Sequence, residues 1–450
     1  MAIHEKGWAY FPELVRWHLA YEPDFPAPYR WGVLFFGNLA CALRSPCDER
    51  ALAWVSSIAG IAVVALVALI ALKLFSRKTA MVATALAITS PLHLELGRRA
   101  YADELHTALL LLSLLALAHL AMDPPRKKEF AWFGLCIMAL TLAWSVKESL
   151  LFLLPALALG LYAWRSPRAL KWTDGALLTL PPLLALLVFV GLNHGFSQLG
   201  SLLIATRESL VHPYSLLFQQ GPPHRPLIEL FTLSPGLFAL LPVAAFAALG
   251  FAPSRPAASG TPSEACVGRE RALALLLIFV AVAAAFAFLP KNLRFYNVLD
   301  PLARLLVAWL VCEVIPWGKP SSAWCVALVL ANAAFELAVF HRTFVRSAVT
   351  DPTASAIFGA LELVPGEIKR WHPTRWVNVC ALSSGVFAWV AAYVSKFKGR
   401  SILFAILISV SAFTFPQLLR TARTPLTNTS RVQRVPWDTA SFRPALEEAK

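Results

Sequence analysis

Four stretches of this 450-residue chain place ionisable and aromatic side chains densely enough to do chemistry. The first runs from His4-Glu5-Lys6 through Glu13, Arg16, His18, Glu22, Asp24, Tyr29 and Arg30. One of its carboxylates could act as a general base and its rings could stack on a sugar; the plain alternative is a solvated loop. The second follows Ser90-Pro91 and holds His93, Glu95, Arg98, Arg99, Asp103 and Glu104, six ionisable groups within twelve residues. Arg99 and Asp103 stand four apart and could simply pair on a helix, which leaves Glu95, Arg98 and Glu104 without a reason. The third is Trp144-Ser145-Val146-Lys147-Glu148-Ser149, where a lysine at a helix junction could receive an anionic head group, snorkel to the surface, or pair with Glu148. The fourth, Leu289-Pro290-Lys291-Asn292-Leu293-Arg294-Phe295-Tyr296-Asn297, is a basic and aromatic turn that opens a helix, a suitable place for a phosphate. Just beyond it, Asp300 and Arg304 are four apart and read as a structural pair.

The elements that must carry these clusters are membrane helices. The chain is 58% hydrophobic and 15% charged, with a mean hydropathy of +0.62, whereas a soluble domain carries about 25% charged residues. The same figures exclude a disordered chain, collagen, a coiled coil and a secreted disulfide scaffold. A helix needs about 20 apolar residues to cross a bilayer, and such runs occupy 52–75, 79–96, 104–122, 130–146, 149–164, 175–193, 227–251, 272–290, 298–316, 322–341, 376–394 and 401–419. The fourth and fifth are short enough to be a broken pair, with Lys147 at the break. The segment 31–43 is apolar but too short to span and reads as a helix lying in the interface. The expected fold class is therefore all-α, a polytopic bundle of about twelve spans with one interfacial helix.

Lysine and arginine in the short loops set the orientation. Lys73, Arg77 and Lys78, then Arg126, Lys127 and Lys128, and the equivalent groups near 165–171, 255–271, 319 and 396–400 fall on one side, expected to be cytoplasmic. The four clusters and both termini then lie outside. The chain divides into an external first loop at 1–51, a transmembrane catalytic module at 52–341, an external loop at 342–375, a helix pair at 376–419 and a basic external tail at 420–450. No signal peptide or apolar span precedes the first loop, which leads to the expectation of a missing first helix. The net charge of +14 does not indicate nucleic acid, because basic residues flanking apolar spans set orientation and touch lipid. The seven cysteines form no C-x-x-C; Cys41 and Cys47 could bridge in an external loop or stay as thiols.

In this order, the four clusters resemble the GT-C superfamily of integral-membrane glycosyltransferases, in the branch of the protein O-mannosyltransferases and the aminoarabinose transferase of lipid A (glycosyltransferase family 39-like). The resemblance rests on Glu5 in the first loop, on Ser90-Pro91 followed by Arg98 and Asp103, on Lys147 in the broken pair, and on the turn Asn292-Leu293-Arg294-Phe295. It departs where the family has Asp-Glu and this chain has His4-Glu5, and where Tyr296 follows Arg294 one place late. It implies transfer of a sugar from a polyprenyl-phosphate carrier to a lipid, glycan or protein acceptor. The setting it implies is the outer face of a bacterial cytoplasmic membrane, within the cell envelope. The candidate catalytic carboxylates are Glu5, Asp24, Asp103 and Glu104. Arg98, Arg99, Lys147, Lys291, Arg294 and Tyr296 are the candidate contacts to carrier phosphate and substrate. No ligand set compels a metal, and a divalent ion stays an open cofactor. Two rivals share the features: a multi-span transporter or flippase lined by Glu313 and Glu336, and an O-antigen polymerase or ligase.

Overall fold

The computed structural model describes residues 2–21, 30–43, 47, 49–97, 102–122, 126–147, 150–165, 172–200, 223, 225–250, 264–289, 294–315 and 321–340. Every regular element among them is helical. The expected pairs of spans at 376–394 and 401–419, with the loops and tail beyond residue 340, lie outside the described residues. The chain opens with α1 (Ala2–Lys6), a 3₁₀ turn (Trp8–Tyr10) and α2 (Phe11–Tyr21), and α3 (Trp31–Leu43) follows. The bundle then continues through α4 (Glu49–Leu74), α5 (Arg77–Ile88), α6 (Pro91–Gly97), α7 (Asp103–Ala121), α8 (Arg126–Val146), α9 (Leu150–Arg165) and α10 (Trp172–Leu192). After these come α11 (Arg225–Leu233), α12 (Pro235–Ala248), α13 (Glu264–Phe288), α14 (Leu299–Trp309), which runs into a π turn (Leu310–Val314), and α15 (Ser321–Phe340).

The span count differs from the sequence expectation of twelve. Among the described residues, five helices are long and apolar enough to cross a membrane, or six if the bent pair α5–α6 counts as one. The run 79–96 is bent by 60° because Pro91 opens a new helix, and a proline cannot donate to the preceding turn. The run 227–251 is likewise split at Ser234-Pro235. Gly250 beyond α12 takes φ +93, the left-handed conformation that lets a glycine end a helix. The break between α8 and α9 falls at Lys147, as the short spans suggested.

The largest core joins α4 through α15, with α7 at its centre; nearly all of its residues are buried. Short connections make α4–α5 and α7–α8 antiparallel neighbours, and both pairs pack closely. The bundle therefore has two ends. One gathers the start of α7, the end of α8 and the turn before α14. The other gathers the α4–α5 corner, the start of α13 and the π turn. Outward-facing Ile58, Ile61, Leu69, Met81, Leu187 and Val280 are large, apolar and exposed, as lipid-facing positions should be.

A smaller cluster of Ile3, Phe11, Val15, Trp31 and Phe189 docks α1 to α3 on the end of α10, and the Trp31 indole donates to the Ala185 carbonyl at 3.1 Å. The expected short helix at 31–43 is α3, and it packs on α4 and α8. Gly32 is what permits that approach, since a Cβ there would meet Ser145 Oγ at 2.1 Å and the Ser145 carbonyl carbon at 3.1 Å.

Candidate functional site

Lys147 ends α8 with its amide bonded to the Ala143 carbonyl, and the chain breaks before α9. Its ammonium is buried yet sits at a helix junction, 2.5 Å from Asp103 at the first position of α7. Two further contacts hold this geometry. Asn297 donates to the Asp103 carbonyl at 3.1 Å, tying the turn before α14 to the start of α7. The Lys147 ammonium also lies 4.2 Å from the centre of the Phe295 ring, a favourable cation–π distance. Arg30 and Arg294 stand close enough for their charges to act on both Asp103 and Lys147. Burial holds the Lys147 ammonium below the ordinary lysine value, and the like charges of Arg30 and Arg294 add to that while Asp103 opposes it. Three cations thus surround one carboxylate at the mouth of a helix break.

The sequence candidates divide around this centre. Asp103, Lys147 and Arg294 come together. Arg30, which the sequence showed only as one charge among many in the first loop, joins them. Phe295 supplies the ring next to Lys147, whereas Tyr296 turns into the core, fully buried and edge-on to Phe286 at 5.9 Å. Glu5 is exposed on α1, and among the described residues no hydrogen bond or ion pair links it to Lys147 or Asp103. Asp24, Arg98, Arg99 and Lys291 lie outside the described residues. The Arg99–Asp103 pairing considered from spacing therefore lies outside them too, and the described partner of Asp103 is Lys147.

Glu104 faces away from Asp103 because successive helical residues point about 100° apart. It is fully buried, and His93 Nδ1 lies 2.7 Å from it. The other ring nitrogen of His93 is 3.4 Å from Asp300, which also accepts from the Ser90 hydroxyl at 2.9 Å. Arg304 completes the set. Its guanidinium binds Asp300 at 2.7 Å and 3.1 Å, Glu336 at 2.9 Å and 3.1 Å, the Ser234 hydroxyl at 3.1 Å, and the Leu86 carbonyl. This satisfies a buried arginine in the manner that a low-dielectric interior demands. The structural pairing of Asp300 with Arg304 read from spacing is present. Glu104 is thus engaged with His93 inside this buried set, away from Lys147. Glu336 holds Arg304, and Glu313 accepts from the Ser76 amide at 3.0 Å and the Thr79 hydroxyl at 2.8 Å, capping α5.

Among the described residues, no three His, Cys, Asp or Glu side chains group into a metal site. Cys41 in the last turn of α3 and Cys47 beyond it form a disulfide, while Cys136 and Cys312 are free thiols.

Residues 32–192 match the family described as dolichyl-phosphate-mannose-protein mannosyltransferase. The matched stretch takes in α3 to α10, and with them Asp103, Glu104 and Lys147. No curated protein matches the sequence. Two solved structures are similar over most of the chain. One is ArnT from Cupriavidus metallidurans in the apo state, 12% identical with a TM-score of 0.46 over 93% of this chain and 72% of that one. The other is ArnT from the same organism bound to undecaprenyl phosphate, 11% identical with a TM-score of 0.47 over 94% and 74% of the two chains.

Proposed function

We propose that this chain is a GT-C-type glycosyltransferase that moves a sugar from a polyprenyl-phosphate carrier to an acceptor hydroxyl on the external face of the membrane. The observation that carries the reading is the Lys147–Asp103 pair at the α8–α9 break, with Arg30 and Arg294 beside it. The leaving group of such a transfer is a carrier phosphate, whose growing negative charge needs preorganised cations. Lys147 and Arg294 are suited to hold it, and Arg30 extends the positive field toward the first loop. Asp103 keeps the ammonium aimed and charged until the phosphate arrives. The hydroxyl of the acceptor has a high pKa and benefits from a positioned base. Glu5 and Asp24 are the first-loop carboxylates assigned to that task, with a divalent ion as an open alternative for either. Direct displacement would invert the anomeric centre, whereas retention would need a second carboxylate as nucleophile.

The external placement is supported by two independent features. The α4–α5 corner carries Lys73, Arg77 and Lys78 and stands at the opposite end of the bundle from Lys147, as the positive-inside rule asks of a cytoplasmic side. The Cys41–Cys47 disulfide follows α3, and disulfides persist in oxidising compartments. The transporter reading loses its proposed path, since Glu313 and Glu336 are both engaged within the frame.

The test is native mass spectrometry of gently extracted protein titrated with undecaprenyl phosphate, with Lys147→Ala and Arg294→Ala run in parallel. Binding by the wild type and its loss in both variants is the expected result. A folded wild type that binds only bulk phospholipid would overturn the reading.

A further inference from the structure

The end of the bundle remote from Lys147 carries a second concentration of positive charge that the proposed reaction does not use. Lys73 lies in the last turn of α4, Arg77 and Lys78 open α5, and Arg269 and Arg271 lie near the start of α13. Arg271 donates to the Leu74 carbonyl at 2.8 Å, so α13 is fastened to the α4–α5 corner. Lys73 and Arg271 then face each other as like charges across two helices.

Two carboxylates lie near Arg271. Glu313 is spent on the Ser76 amide and the Thr79 hydroxyl, and together with exposed Glu270 it bears on Arg271. Among the described residues Lys73, Arg77, Lys78 and Arg269 make no ion pair. Lys73, Arg269 and Arg271 are only partly exposed, so water screens them less than it would free surface lysines. Such a corner is expected to hold an anion.

Its depth indicates which one. Leu74 and Gly268 are the ends of two spanning helices, Ala53–Leu74 and Gly268–Phe288, and span ends sit at the level of lipid head groups. Within about two turns of the corner, Leu69, Leu72 and Met81 are exposed apolar side chains along which an acyl chain can lie. Basic pockets between spans on the cytoplasmic side bind phosphate-bearing head groups by this combination.

We propose that the α4–α5 corner is an anionic phospholipid site, with Lys73 and Arg271 gripping the head-group phosphate and Arg77 and Lys78 at its rim. The site is separate from the carrier-phosphate centre and does not depend on it. Holding α4, α5 and α13 together, it makes the lipid part of the packing of that end.

The test is native mass spectrometry and thermal unfolding of the full chain in detergent, titrated with phosphatidylglycerol, with phosphatidylcholine and with inorganic phosphate. The variants are Lys73→Gln/Arg271→Gln and, as a milder pair on exposed positions, Arg77→Gln/Lys78→Gln. Phosphatidylglycerol should be retained and should raise the melting temperature, whereas phosphatidylcholine and inorganic phosphate should not. Two lost charges should weaken retention by roughly thirty-fold in the first variant, and less in the second. A Lys147→Ala chain should retain the lipid as the wild type does. Equal retention in wild type and both double variants would overturn the proposal. So would protection by inorganic phosphate equal to that by the lipid, or loss of the lipid in the Lys147→Ala chain.

Discussion

The Lys147–Asp103 pair offers a test that separates a structural ion pair from a substrate contact. Both side chains are over nine-tenths buried, and the ammonium is 2.5 Å from the carboxylate. Removing one partner of such a pair leaves a buried charge uncompensated, at a cost of about 3–5 kcal/mol. Lys147→Met should therefore lower stability by about that amount, moderated by Arg30 and Arg294. Adding Asp103→Leu removes the stranded carboxylate and should recover most of the loss, because replacing both members of a buried pair by apolar groups is often near neutral. Carrier binding should behave differently. A charge-assisted hydrogen bond contributes about 1.5–3 kcal/mol, so either Lys147→Met chain should bind undecaprenyl phosphate roughly ten- to hundred-fold more weakly. The assay pairs thermal unfolding in detergent with a carrier titration followed by native mass spectrometry. If the double variant regains both stability and carrier affinity, Lys147 serves only to hold Asp103, and the phosphate assignment fails.

Four other outcomes follow from the geometry. Glu104→Gln should lower the melting temperature while leaving the apparent KM for a lipid-linked donor within about two-fold, since Glu104 contacts His93 and not the Lys147 centre; an unchanged melting temperature with a lost kcat would return it to the catalytic group. Arg304→Met should strand Asp300 and Glu336 in the core and destabilise by about 3–5 kcal/mol, which yield and thermal unfolding in detergent will report. Gly32→Ala should cost about 1–3 kcal/mol because the added Cβ meets Ser145, and Gly32→Ala/Ser145→Ala should recover part of it as the Oγ conflict goes. Mild reduction should open the Cys41–Cys47 bridge, costing about 2 kcal/mol for so short a loop, and a membrane-impermeant thiol reagent should then label Cys47 from outside intact cells or spheroplasts; labelling only in inverted vesicles would reverse the orientation.

Much of this arrangement could be read from local spacing, and the limits of that reading are physical. The break at Lys147 showed itself because two apolar runs of sub-spanning length met at a charged residue. The Asp300–Arg304 pair showed itself because four residues make one helical turn. The helix at 31–43 was visible from its apolar length alone. By contrast, Lys147 and Asp103 are 44 residues apart, and only the antiparallel packing of α7 on α8 brings them together. The role of Glu336 depends on α15 meeting α14, so its isolated charge looked like part of a path. Ser90-Pro91 was noticed as a motif, yet its bend was hidden because the apolar run continues across it; hydropathy does not register a missing amide. Glu104 was grouped with Asp103 by adjacency, although neighbouring helical positions point to different surroundings. The distinction between Phe295 and Tyr296 rested in the same way on which side of a turn faces the core.

The buried guanidinium of Arg304 also imposes an order on biogenesis. Asp300, Ser234 and the Leu86 carbonyl all precede it in the chain, but Glu336 follows 32 residues later. When α14 leaves the ribosome and enters the lipid, the arginine has one carboxylate at hand and waits for the other. Integration of α15 closes the cluster and seals the core in one step, so a nascent chain stalled before Ser321 would hold an incompletely neutralised charge in the bilayer. Until α15 is in place, Arg304 has Asp300 as its one carboxylate partner among the residues already made.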